Sequence, residues 1–166
     1  MEEILERRKE VHVIAKEVLE AKDLFMIGRG MDYSILLEGS LKLKEVSYIH
    51  SEAYAAGELK HGPIALVEQG VRVTAILTQP KTTDKTIGNL QEVKARGAYV
   101  IAVCTESIAE KAADLADDLL VIPDTNPWTA PLLAVVPLQM LAYYTALRLG
   151  NDIDQPRNLA KSVSVE

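Results

Sequence analysis

Short apolar segments alternate with helical segments along this chain. The apolar segments, each of strand length, are 24–27 (LFMI), 72–78 (RVTAILT), 98–104 (AYVIAVC) and 119–122 (LLVI). Helical periodicity marks the segments 2–21, 32–48, 84–96, 106–115 and 131–149. Strands that are apolar on both faces and joined by helices are typical of a parallel sheet. We therefore predict an α/β fold of the doubly wound type, with helices on both faces of the sheet.

Length and composition fit a single domain. The chain has 166 residues, of which 48% are hydrophobic, and this is enough to bury a substantial core. Residues 151–166 (NDIDQPRNLAKSVSVE) show neither strand nor helix periodicity. We predict one domain over residues 1–150, followed by a tail, 151–166, that lies over the surface or over a neighbour.

The charge argues against a nucleic-acid partner, and the cysteine content indicates the cellular location. The 18 Lys and Arg residues are outnumbered by 24 Asp and Glu residues, and the charges are scattered, so we expect no nucleic-acid partner. Cys104 is the single cysteine and ends an apolar run. It cannot form an internal disulfide, so we predict a buried strand residue and a cytoplasmic location.

The histidines and glycines do not indicate a metal or a cofactor. His12, His50 and His61 lack the spacing of metal ligands, so we expect no metal site. The turn Gly28-Arg29-Gly30 follows the first predicted strand and could admit an anion, but a plain turn explains it equally well. It lacks the third glycine of a dinucleotide fingerprint, and we expect no cofactor.

Residues 132–149 are the one stretch whose hydropathy suggests a membrane span. Pro137, Gln139 and two tyrosine hydroxyls within it favour instead a core or subunit-interface helix, bent at Pro137. The N-terminus is charged from its second residue and resembles no signal peptide. We therefore expect no membrane partner.

Glu38, Lys42 and Glu45 are the strongest candidates for chemistry. At 3.6 residues per turn they fall within an arc of about 60° on one helix face. The same spacing occurs in exposed ion-pair ladders, which contribute little to stability. However, apolar residues surround the charged arc, and a helix that is apolar nearly all round is normally buried. Because buried charges are costly unless paired or used, we favour a functional site over a solvated stripe.

Two long blocks of the sequence are recognisable: GRGMDYSILLEGSLKLKEVSYIHSEAYAAGELKHGP and DQPRNLAKSVSVE. They closely resemble the isomerase part of the glucosamine-6-phosphate synthase family, the glutamine:fructose-6-phosphate amidotransferases. The resemblance covers nearly the whole chain. It implies a flavodoxin-like sugar isomerase (SIS) domain, the second of two in such enzymes, with its C-terminal tail. It also implies a homodimer that acts on sugar phosphates.

The resemblance assigns roles to particular residues. Glu45 resembles the base that moves a proton between C1 and C2 of fructose 6-phosphate on the way to glucosamine 6-phosphate, and Glu38 and Lys42 resemble its supporting residues. His61 resembles the residue that assists ring opening from across the dimer interface. Lys161 resembles the tail lysine that forms a Schiff base with the ketose, and Ala160 beside it resembles a substrate-binding position. A partly buried carboxylate would suit the role of the base.

Two parts of the family's pattern are missing from these residues: a glutaminase domain with its nucleophilic cysteine, and a first SIS domain with the Ser/Thr-rich loop that holds the sugar phosphate. The loop at 78–86 (TQPKTTDKT) has a comparable place but a different pattern, and polar loops of this kind are usually just solvated. We therefore expect the chain to act as a catalytic half-module that works with those domains. The alternatives are a non-catalytic module that binds sugar phosphate or dimerises, and a piece of a longer chain.

Overall fold

A computed structural model describes residues 1–159 and shows a five-stranded parallel sheet in the order β2-β1-β3-β4-β5. The strands are β1 (Leu24–Gly28), β2 (Ser51–Ala55), β3 (Arg72–Leu77), β4 (Tyr99–Thr105) and β5 (Asp118–Ile122). The helices are α1 (Glu2–Glu6), α2 (Arg8–Leu19), α3 (Met31–Ser47), α4 (Thr83–Lys94), α5 (Glu106–Ala113) and α6 (Ala130–Arg148). Two short 3₁₀ segments, Ala56–His61 and Pro63–Leu66, follow β2.

The order in which strands are added to the sheet reverses at β1. Leu24 lies beside Ser51 of β2 on one side and beside Arg72 of β3 on the other. The chain therefore leaves β1 towards one edge of the sheet and returns on the opposite side to form β3. This arrangement opens a crevice between the carboxyl ends of β1 and β3, where ligands bind in many folds of this type.

Two apolar layers cover the sheet. Because neighbouring side chains of a strand point to opposite faces, Leu24 and Met26 face one layer while Phe25 and Ile27 face the other. The first layer consists of α2, α3 and α6, and the second of α4, α5 and the 3₁₀ segment Ala56–His61. The site helix α3 and the segment that ends at His61 are thus on opposite faces of the sheet.

The predicted parallel α/β fold is confirmed, and Cys104 is fully buried in β4 as expected. Two details of the prediction were wrong. The helix predicted at 2–21 is two helices, α1 and α2, separated at Arg7. Strand β2 was missed because SEAYA contains polar residues and lacks a run of large apolar residues, as is common for a strand at the edge of a sheet.

Helix α6 has the length and composition of a membrane span, with a mean hydropathy of 1.5 over its most apolar window. In the fold 56% of that window is buried, and α6 packs against α2 and α3. The helix is continuous through Pro137, which is itself buried. Its mostly apolar sequence therefore matches its position within the first apolar layer.

Candidate functional site

Helix α3 is bounded by two residues with positive φ. Gly30, with φ of +60°, precedes the first turn, and Tyr48, with φ of +63°, follows the last. Glycine adopts this left-handed conformation freely, but tyrosine does so only at a cost in free energy. The backbone leaves the helical conformation at these two residues, so they mark the ends of α3, and the charged residues lie between them.

Glu38, Lys42 and Glu45 converge, as predicted. The Nζ atom of Lys42 lies 2.6 Å from Oε2 of Glu45 and 3.7 Å from Oε1 of Glu38. The hydrogen bond to Glu45 is the main cause that raises the pKa of Lys42 above its usual value. Lys42 therefore stays an ammonium ion between two carboxylates. The cluster carries one net negative charge when all three side chains are ionised.

The charged cluster faces away from the core of its own chain. Leu36 and Leu43 are buried on the inner side of α3, whereas Leu37 and Leu41 are exposed by 48% and 44%. The expectation of a helix buried nearly all round is therefore wrong for the single chain. It failed because an apolar sequence pattern does not tell which apolar face packs within the chain.

The three charged side chains are neither buried nor fully solvated. Their exposed fractions are 42% for Glu38, 33% for Lys42 and 27% for Glu45. Such groups are accessible to a ligand, but water still screens their interactions. Acid-base chemistry at this face would be stronger if a second surface covered it and excluded water.

His61 is not brought to this cluster. It ends the 3₁₀ segment Ala56–His61 and is exposed, and that segment packs in the second apolar layer. Since α3 belongs to the first layer, the sheet separates the two elements. Within one chain, His61 and Glu45 therefore belong to different surfaces.

The tail positions Ala160 and Lys161 lie outside the described residues. The part of the tail that precedes them contacts the end of α3. The backbone N–H of Arg157 donates a hydrogen bond of 2.8 Å to the hydroxyl of Tyr48. Sequence reasoning gave no role to Tyr48 or Arg157, and only their place within the two recognisable blocks could have drawn attention to them.

The crevice at the carboxyl ends of β1 and β3 is occupied by the protein's own side chains. Asp32, in the first turn of α3, is 1% exposed and accepts hydrogen bonds from the backbone N–H of Thr78, at 2.9 Å, and from its hydroxyl. Burial is the main cause that raises the pKa of Asp32, while the bonds from Thr78 act in the opposite direction. The Asp32 carboxylate thus connects the first turn of α3 to the carboxyl end of β3.

Arg29 belongs to the same crevice. Its Nε and Nη2 atoms donate hydrogen bonds of 3.1 and 3.0 Å to Oδ1 of the buried Asn89. A Cβ atom added at Gly57 would lie 3.0 Å from the Nη1 atom of Arg29, so a larger residue at position 57 would require the guanidinium group to shift slightly. The guanidinium group therefore connects β1, α4 and the segment that ends at His61.

The threonines of the loop at 78–86 bond within the protein. The hydroxyls of Thr82 and Thr83 donate to the carbonyl of Gln79, and that of Thr86 donates to the carbonyl of Thr82. Local bonds of this kind terminate strands and begin helices. This pattern agrees with the plain interpretation of the loop.

A cavity of about 390 Å³ opens at the amino ends of the strands, beside Asp23, His50 and Arg72. None of the predicted site residues within 1–159 lines this cavity. Over residues 1–159, no group of three or more His, Cys, Asp or Glu side chains is placed to hold a metal ion. The charged face of α3 therefore remains the best candidate site.

The family of this chain is shown by comparison with known proteins. A family model described as "SIS domain" matches residues 17–149, which is most of the chain. The chain therefore belongs to the SIS domain family, in agreement with the parallel sheet and with the sequence resemblance.

Within this family, the chain is similar to enzymes that share one name. The chain is 52% identical to the glutamine–fructose-6-phosphate aminotransferase (isomerizing) of Clostridium perfringens, across 100% of this chain and 27% of that protein. It is 50% identical to the enzyme of the same name from Thermus thermophilus, again over 27% of its length. The chain thus spans about a quarter of the curated relatives it matches.

Solved structures agree with this result. The C-terminal domain of glucosamine-fructose-6-phosphate aminotransferase from Francisella tularensis superimposes with a TM-score of 0.87 and 39% identity, covering 92% of this chain and 43% of that one. A putative tagatose-6-phosphate ketose/aldose isomerase from Clostridium novyi has a TM-score of 0.79 at 17% identity, covering 95% of this chain and 44% of that one, and shows the shared fold alone. The chain is therefore similar to the C-terminal SIS domain of the aminotransferase.

Proposed function

We propose that this chain is the isomerase half-module of a glutamine–fructose-6-phosphate aminotransferase. The observation that carries the proposal is the convergence of Glu38, Lys42 and Glu45 on the outward face of α3. Identity of about half over the full chain to proteins of that name supports it. The substrate would be fructose 6-phosphate and the product of the complete enzyme glucosamine 6-phosphate.

In this proposal Glu45 takes a proton from C1 of the open-chain sugar and returns it to C2. Lys42 holds the Glu45 carboxylate by their hydrogen bond and compensates part of the negative charge that develops on the sugar oxygens. Glu38, on the other side of Lys42, would also attract the ammonium group and so weaken the electrostatic interaction between Lys42 and Glu45. Lys161 would form a Schiff base with the ketose carbonyl, for which its amine must be neutral.

The outward position of the cluster explains why further surfaces are needed. Leu37 and Leu41 are exposed on the same helix, so a second apolar surface could cover this face and exclude water. We propose that a first SIS domain, which would also bind the sugar phosphate, provides that surface. A glutaminase domain would supply the ammonia.

His61 would act in a neighbouring subunit. It is exposed and lies across the sheet from Glu45, so a homodimer could place it in the site of the second copy. We propose residues 1–150 as the SIS unit and 151–166 as its active-site tail. A cytoplasmic setting is proposed because the single cysteine, Cys104, is buried and unpaired.

The first test measures conversion of fructose 6-phosphate into glucose 6-phosphate. The chain is assayed alone and after mixing with a separately expressed first SIS domain. We expect turnover in the mixture and a loss of about 10²- to 10⁴-fold in Glu45→Gln, the usual contribution of a general base. Glu110→Gln, an exposed carboxylate on α5, is the matched control and should retain full turnover.

Two results would contradict the proposal. Equal turnover in Glu45→Gln and Glu110→Gln would remove Glu45 from the chemistry. No turnover in any mixture, together with binding of fructose 6-phosphate or dimerisation, would favour a non-catalytic module.

A further inference from the structure

The end of α3 is tied to the tail at two points. The side-chain amide of Asn151 donates hydrogen bonds to the carbonyls of Val46, at 3.0 Å, and Ser47, at 3.4 Å. Six residues later, the backbone N–H of Arg157 donates to the hydroxyl of Tyr48. Both points lie within one turn after Glu45. The tail therefore contacts the C-terminal end of α3, within one turn of Glu45.

Tyr48 contacts Arg157 in a second way. The guanidinium carbon of Arg157 lies 4.1 Å from the centroid of the Tyr48 ring, a cation–π contact. Arg157 is exposed, so the Tyr48 ring covers only part of its side chain. One tyrosine thus binds both the backbone and the side chain of the same tail residue.

Tyr48 has this role although its backbone is strained. Among residues 1–159, only Tyr48 and Asn158 adopt positive φ without being glycine, and both have φ of 63°. Asparagine tolerates this conformation well, but tyrosine does not. Glycine at position 48 would relieve the strain, yet it would remove the ring and hydroxyl that hold Arg157. The structure therefore has a strained residue whose side chain makes a specific contact with the tail.

We propose that Tyr48 and Arg157 are positioning residues that fix where the tail starts, so that Ala160 and Lys161 remain within reach of Glu38, Lys42 and Glu45. The four peptide units from Arg157 to residue 161 span at most about 14 Å. A fixed starting point therefore sets an upper limit on the distance between residue 161 and the end of α3, which would raise the effective concentration of the Lys161 amine there. This inference rests on the proposed function, because it assumes that the amine of Lys161 reacts at that site.

The first experiment tests the contact without any activity. Trypsin cleaves after Arg157 only when that side chain is released from Tyr48, and the rate is followed by the mass of the fragment that lacks residues 158–166. We expect cleavage to be about tenfold faster in Tyr48→Leu. Tyr48→Phe keeps the ring and loses the hydroxyl, so its rate should be intermediate. Tyr143→Leu, which removes an exposed tyrosine on α6, should match the wild type.

Both substitutions at position 48 leave a non-glycine residue there, so the backbone strain at that position is retained. The contact is disproved if Tyr48→Leu and the wild type are cleaved after Arg157 at equal rates.

The second experiment tests the consequence for chemistry. The chain, mixed with the first SIS domain, is incubated with fructose 6-phosphate and borohydride. The Lys161 amine bonds to C2, the carbonyl oxygen leaves as water, and hydride reduces the C=N bond to a stable secondary amine. We expect the adduct on Lys161 to form about tenfold more slowly in Tyr48→Leu and in Arg157→Gln, with largely restored rates in Tyr48→Phe and Arg157→Lys.

The two experiments separate the possible failures. If the wild type forms no adduct on Lys161, the proposed role of Lys161 is wrong, and the protease result still decides whether the contact holds the tail. If cleavage is faster in Tyr48→Leu but its adduct forms at the wild-type rate, the contact exists without positioning the amine, and the inference is overturned.

Discussion

Asp32 and Glu45 lie on the same helix, yet the protein treats their carboxylates in opposite ways. Asp32 is 1% exposed and is bonded to Thr78, 46 residues away in sequence. The side chain of Glu45 is 27% exposed, and its partner is Lys42, three residues away on the same helix. One carboxylate connects α3 to the sheet, and the other faces outward. The first therefore contributes to stability, whereas the second is accessible from outside the chain, as its proposed role requires.

The helix dipole also acts differently on the two carboxylates. Asp32 lies in the first turn of α3, where the partial positive charge of the helix favours a carboxylate. Glu45 lies in the last turn, where the partial negative charge disfavours it. Lys42 offsets that cost through the hydrogen bond of 2.6 Å. The position of Glu45 therefore agrees with its proposed role in chemistry better than with a role in stabilising the helix.

The largest expected effect on stability is at Asp32. Asp32→Ala leaves both the backbone N–H and the hydroxyl of Thr78 without their buried partner, and should lower the free energy of unfolding by about 2–4 kcal/mol. Glu45→Gln should change it by less than about 1 kcal/mol, because half-exposed ion pairs contribute little. Urea denaturation followed by circular dichroism measures both. Equal losses in the two variants would remove the distinction between the two carboxylates.

A smaller effect is expected on the inner face of α3, at Gly39. A Cβ atom there would come within 2.5 Å of Cδ1 and 3.3 Å of Cβ of the buried Leu138 on α6. Gly39→Ala should therefore destabilise the fold by about 1–2 kcal/mol, even after the gain in helix propensity. Gly88→Ala is the matched control, since Gly88 is also inside a helix and a Cβ atom there meets nothing within 4 Å.

Gly88→Ala should stabilise the fold by about 0.5–1 kcal/mol. The comparison uses thermal and urea unfolding of both variants. If both substitutions stabilise the protein, α6 adjusts to α3 easily, and the close contact at Gly39 does not constrain the site helix.

The smallest effect is a dependence on pH. Because burial raises the folded-state pKa of Asp32 above that of the unfolded chain, the folded state binds more protons between those two values. The stability of the wild type, relative to Asp32→Asn, should therefore be highest in acid and fall as the pH rises through the folded-state pKa. Urea midpoints of the two proteins at a series of pH values from 4 to 8 measure this difference.

The asparagine side chain introduced by Asp32→Asn does not titrate, and all other groups are common to both proteins, so the difference isolates Asp32. A relative stability that rises with pH would mean that the bonds from Thr78 outweigh burial, and that the pKa of Asp32 is lowered.

The sequence predicted most of the architecture because buried parallel strands and their helices have strong local patterns. It also predicted that Glu38, Lys42 and Glu45 converge, since helical spacing alone brings them together. Strand β2 was missed because its sequence SEAYA lacks that pattern. The expectation that α3 is buried nearly all round was wrong, because Leu37 and Leu41 are exposed. The assignments of His61 and Lys161 remain predictions.

The local amino-acid sequence therefore determined whether each long segment forms a helix or a strand. It also determined that one helix face is charged, because both properties depend on residues a few positions apart. Tertiary structure alone decided which side of α3 meets the core, how Asp32 finds Thr78, and where the tail meets Tyr48. These contacts join residues that are 46 and 109 positions apart. No local periodicity specifies such pairs, since they form only when the packing of the sheet and helices brings them together.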